Sequence, residues 1–156
     1  MKNYQRIADW YINKGIETGN LINPMKLQKL IYFTHGWCLA VVGESVIDEF
    51  FYAWKYGPIL QPLYFNYKKL GLKKIDKKQN NQIKYTKNEI DLLNFIWERY
   101  SGFDCIQLSR MAHTENSPWQ HVMKNYQYTL SNIIPNELIK NYFSRLYEKT
   151  QLSIIP

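Results

Sequence analysis

Disulfide staples, a membrane-spanning stretch and a glycine-rich phosphate loop are all missing from this sequence, and each absence narrows what the chain can be. Its two cysteines, Cys38 and Cys105, lie in apolar patterns and form no C-x-x-C pair, so each reads as a buried, reduced thiol suited to the cytoplasm. No apolar run approaches the ~20 residues that a bilayer-crossing helix needs. The stretch around Leu39 to Val42 is bracketed by His35 and Glu44. The segment from Met1 to Arg6 is polar and helix-compatible and lacks the features of a signal peptide, so the expectation is a cytoplasmic protein with no membrane partner. The seven glycines form no phosphate-binding loop, and no H-E-x-x-H zinc motif occurs.

What is abundant is aromatic and apolar side chain. Hydrophobic residues make up 46% of the 156, with thirteen Tyr, seven Phe and five Trp, so the chain folds and has the length of a single domain over 1–156. Charge is concentrated. The net +7 is held by Lys68, Lys69, Lys73, Lys74, Lys77, Lys78, Lys84 and Lys87 against Asp76 alone, while the remaining twelve basic and twelve acidic residues cancel. A charge-steered partner is expected to meet that segment.

The periodicity predicts a mainly α, compact domain of about six helices with a short β-hairpin, an α+β arrangement. Tyr4, Ile7, Ala8, Tyr11 and Ile12 mark one helix face, ending near Gly15. Asn23-Pro24 caps a second helix that runs toward Gly43 and is apolar on more than one side, hence central and buried. Alternation from Val46 to Lys55 predicts the hairpin, Tyr56-Gly57-Pro58 a turn, and Pro62 the start of a helix reaching Gly71. Leu72 to Lys87 reads as a loop or small exposed hairpin. Thr86 to Glu89 is a capping box opening a helix to Gly102, Asp104 caps another, Ser117 to Gln120 is a second box, and Pro135 opens the last helix.

Catalytic spacing is weak. His35 and Cys38 stand three apart on one helix, and His113 and His121 add two imidazoles, but none has metal-ligand or nucleophile context, so no metal site, no cofactor and no enzyme are expected. The lysine segment contains no arginine and only Tyr85 for stacking, which limits it to nonspecific phosphate contact. Gly36, in the middle of a helix, costs about 1 kcal/mol relative to alanine, and close approach of another backbone is the simple compensation.

The run Asn23-Pro24-Met25-Lys26-Leu27-Gln28-Lys29-Leu30-Ile31-Tyr32-Phe33-Thr34-His35-Gly36-Trp37, followed by Ala53-Trp54-Lys55-Tyr56-Gly57-Pro58, resembles the Panacea antitoxin domain family, the SocA-like or GepA-like phage-associated proteins. Leu108-Ser109, His113 and Pro118-Trp119 are similar to its L-S-x-x-T-H element and following P-W, with Ala112 where the family has threonine. The resemblance implies a prophage- or plasmid-associated antitoxin that neutralises a cognate protein toxin by direct binding, with a protease as a further partner in some relatives. It implies no cofactor. His35, Trp37, Trp54, Lys55, Tyr56, Gly57, His113 and Trp119 are the expected toxin-binding residues. A nucleic-acid-binding regulator using Lys68 to Lys87 is the alternative.

Overall fold

A computed structural model describes residues 2–79, 82–126 and 132–152. Asn3 caps α1 (Tyr4–Glu17), accepting the Gln5 amide at 2.8 Å, and Asn23 caps α2 (Pro24–Val41), accepting the Lys26 amide at 2.8 Å. The first helix runs past Gly15 and stops at Glu17. Strands β1 (Phe51–Trp54) and β2 (Gly57–Leu60) lead into α3 (Gln61–Tyr67) and a short 3-10 turn, Lys68–Leu70. After the lysine-rich segment come α4 (Lys87–Tyr100), α5 (Cys105–Ala112), α6 (Pro118–Tyr126), β3 (Ile133–Ile134) and α7 (Asn136–Leu152). The mainly α expectation holds, with seven α-helices among the described residues.

The second helix is the centre of the molecule because nearly every side of it is covered. It packs against α1, α4, α5 and α7 and against β2, burying everything from Lys26 to Leu39. The faces of α1 (Ile7, Ala8, Tyr11, Ile12) and α4 (Leu93, Ile96, Trp97) close one side. On the other, the Phe143 ring of α7 meets Tyr32, Phe33 and Trp37 edge-on, and Phe33 stacks on Tyr100 with centroids 4.3 Å apart. Gly36 lies under that same ring: a Cβ there would stand 2.3 Å from Phe143 Cε2. The compensation for a mid-helix glycine is therefore a side chain of α7, not an approaching backbone.

The sheet order is β2-β1-β3, all antiparallel, with Phe51 opposite Leu60 and Trp54 opposite Gly57. The hairpin thus lies one arm later than the alternation from Val46 suggests. Val46 and Ile47 are buried without forming a strand, and the second arm is Gly57-Pro58-Ile59-Leu60. Proline disguises it: Pro58 has no N–H to give, which an edge strand tolerates. The lysine-rich segment forms no hairpin among its described residues, and it is tied down where Ile75, 4% exposed, gives its N–H to Ile22 O at 2.8 Å. In the box at Ser117, Gln120 turns to the Asn116 amide, although Ser117 Oγ still accepts the Gln120 N–H.

Candidate partner-binding site

The turn Trp54-Lys55-Tyr56-Gly57 joins β1 to β2, and a two-residue connection of this kind is normally mobile at its tip. Here three helices hold it. Trp119 Nε1 of α6 donates to Trp54 O at 2.6 Å, Ser109 Oγ of α5 donates to Tyr56 O at 2.5 Å, and Lys29 Nζ of α2 donates to Pro58 O at 2.9 Å. Gln28 adds a two-point clamp on the end of the edge strand, accepting the Leu60 N–H at 2.9 Å and donating to Leu60 O at 3.0 Å. Gly57 sits at φ +102°, where a side chain is strained, and a Cβ would meet Lys29 Cε at 3.1 Å.

What the clamp leaves outside is narrow. Lys55 is exposed, Tyr56 is 58% exposed, and Lys55 Nζ lies 5.2 Å from the centre of the Tyr56 ring. Trp54 is half-buried and edge-on to Tyr64 at 5.1 Å. Of the eight residues expected at the interface, the structure gathers Trp54, Lys55, Tyr56, Gly57, His113 and Trp119 around this turn, His113 packing on Trp119 at 5.0 Å. His35 and Trp37 belong elsewhere. Both are buried: His35 Nε2 is bonded to Asn136 Oδ1 at 2.8 Å, and Trp37 Nε1 donates to Tyr100 OH at 2.8 Å. Gly57, although part of the turn, is buried as well.

Electrostatically the clamp is unusual. Lys29 is 0% exposed and forms no ion pair with a described residue; burial pushes its ammonium down to about 7, partly opposed by the nearby Cys105 thiol. His113 is held below its ordinary value by burial first, then by the charges of Lys29 and Arg110, and its Nδ1 is buried without a hydrogen bond. Cys38 lies on another part of α2, where burial raises its thiol and disfavours the thiolate. No three His, Cys, Asp or Glu side chains among the described residues converge as a metal would require. No helix among them is long and apolar enough to cross a membrane. The eight lysines of residues 68–87 are all exposed, with Lys68 over the Phe65 ring at 4.9 Å and Lys87 paired to Asp91 at 2.6 Å.

The residues that sequence reasoning passed over are Lys29, Gln28 and Ser109. Their signal was present: buried polar side chains need internal partners, and Lys29 and Ser109 found the carbonyls of Pro58 and Tyr56 while Gln28 found the backbone of Leu60. Loss of one clamp bond should loosen the tip more than the fold. Ser109→Ala is expected to lower stability by about 1 kcal/mol or less. It should also speed backbone amide exchange at Lys55 and Tyr56, which hydrogen-exchange mass spectrometry reads directly.

Comparison with known proteins places this arrangement. The family described as "Antitoxin SocA-like, Panacea domain" matches residues 27–120, a span that contains every donor and acceptor of the clamp. The chain is 28% identical over 169 residues to the Antitoxin SocA of Caulobacter vibrioides (strain NA1000 / CB15N), covering 96% of this chain and 86% of that protein. No solved structure matches significantly. With the matching family spanning more than half of the chain, from the middle helix through the clamped turn to Trp119, this protein belongs to the SocA-like antitoxin family that carries the Panacea domain.

Proposed function

We propose that this chain is a cytoplasmic, non-enzymatic antitoxin that neutralises a cognate protein toxin by binding it directly, and that the Lys55-Tyr56 tip is part of the contact. The observation that carries the reading is a turn fixed by donors from three helices while its side chains face solvent. Fixing the backbone beforehand removes ordering cost from binding, and a tyrosine contributes large area with few rotors to freeze. The name of the related Caulobacter protein, an antitoxin, supports the same role.

Co-expression tests it. The product of the adjacent gene is induced with and without this chain, and restored growth together with a co-purifying complex is the expected result. A neighbour that is harmless alone, or equally toxic in the presence of this chain, contradicts the reading. Repeating the rescue in a protease-deficient host separates simple binding, which persists, from delivery to a protease, which is lost. The alternative of nucleic-acid binding through residues 68–87 predicts affinity that falls steeply with salt; no binding to DNA or RNA at low salt removes it.

A further inference from the structure

Between the start of α2, the clamped turn and α3 lies a groove of about 440 Å³ whose character is uneven. Its walls are apolar, with Met25, Ile59 and Leu63 among them, but every charged side chain lining it is a lysine: Lys29, Lys55 and Lys68. Lys55 and Lys68 each lie over an aromatic ring, Tyr56 and Phe65 respectively, and neither pairs with a carboxylate among the described residues. The aromatic turn and the first lysine of the basic segment therefore border one groove, although they look like separate sites in the sequence.

We infer that this groove receives an acidic segment of the protein partner, one apolar side chain entering between Met25, Ile59 and Leu63 and flanking carboxylates meeting Lys55 and Lys68. This rests on the toxin-binding reading above and specifies the chemistry of what binds. Charge complementarity selects the occupant: unpaired lysines around an apolar floor suit carboxylates beside a hydrophobic side chain. Nucleic acid fits less well, because the groove holds no arginine for base edges, and its aromatic residues Trp54, Tyr56 and Tyr64 share the lining with the aliphatic Met25, Ile59 and Leu63 instead of forming a continuous stacking platform.

The test uses the whole chain with methyl-labelled methionine, reading the Met25 resonance during titration with acetyl-Glu-Phe-Glu-amide, acetyl-Gln-Phe-Gln-amide and oligothymidylate. Ligands this small are expected to bind in the millimolar range. The acidic peptide is expected to shift Met25 and to bind at least about tenfold more tightly than the neutral one, a preference that weakens with salt. Lys55→Glu combined with Lys68→Glu should abolish that preference; both positions are exposed, so folding is unaffected. Equal affinity for the two peptides, no Met25 shift with either, or a shift with oligothymidylate alone overturns the inference. The peptide readout involves no toxin, so its outcome is separate from that of the co-expression rescue.

Discussion

Gly36→Ala is expected to destabilise the protein by about 2–3 kcal/mol, against the usual direction for an alanine placed inside a helix. Propensity alone favours alanine by about 1 kcal/mol. The new methyl, however, would stand 2.3–2.6 Å from three atoms of the Phe143 ring, so the ring or the helix must move. Neither moves easily. Phe143 is 0% exposed and touches Tyr32, Phe33 and Trp37, which puts the clash at the crossing of α2 and α7. For a chain of this size the melting point should fall by roughly 4–12 °C. Phe143→Ala alone should cost about 3–5 kcal/mol, and the double variant should be more stable than the sum of the two losses, because the smaller side chain makes room for the methyl. Denaturant unfolding of the four proteins measures this coupling. An alanine variant as stable as the parent would mean that the crossing is looser than described.

The second large effect is a pH dependence set by Lys29. Its folded-state value of about 7 lies below the ordinary 10.5, so between these limits the unfolded chain binds a proton that the folded chain does not. Stability attributable to this group therefore rises with pH across that window, by up to about 1.4 kcal/mol per unit, and is flat below pH 7. The groups facing it are the Cys105 thiol and His113, and His113 titrates below its ordinary 6.5, outside the window. Comparison with Lys29→Met isolates the effect. The variant should lose the upward slope, because it has no group that takes up a proton only on unfolding. It should also leave Pro58 O without its donor and loosen the tip. If the parent and variant have parallel pH profiles, Lys29 keeps its ordinary ionisation and the clamp is solvated.

Much of this architecture is legible in the sequence because local signals and burial agree. Asn23-Pro24, the capping box at Thr86 to Glu89 and the cap at Asp104 all open helices where the side-chain chemistry says they should. The burial of α2 follows from its apolar residues on several sides. The hairpin was misplaced for a physical reason: Pro58 and Gly57 read as loop residues, yet one serves an edge position and the other a positive φ. The strand Ile133–Ile134 is too short to carry a period, and only pairing with Phe51 and Tyr52 makes it one.

For the site, residue type was the visible part and exposure was not. Trp37 and Trp54 look equivalent in the sequence, but one gives its indole N–H to Tyr100 in the interior and the other flanks the exposed turn. His35 likewise has the appearance of a ligand and is a buried partner of Asn136, a contact across a separation that no local pattern reports. The family motif becomes intelligible once the chain is folded: Lys29, Ser109 and Trp119, far apart in sequence, converge on the carbonyls of a single turn.

The central claim is that this turn is held rigid so that Lys55 and Tyr56 can be recognised, and calorimetric titration of Lys55→Glu/Tyr56→Ala against the cognate toxin, beside a thermal melt, tests it most directly. Binding is expected to weaken by at least about thirtyfold, as loss of a tyrosine anchor does, with a melting point within roughly 2 °C of the parent. Unaltered affinity, or a loss of affinity that is matched by unfolding, would contradict it.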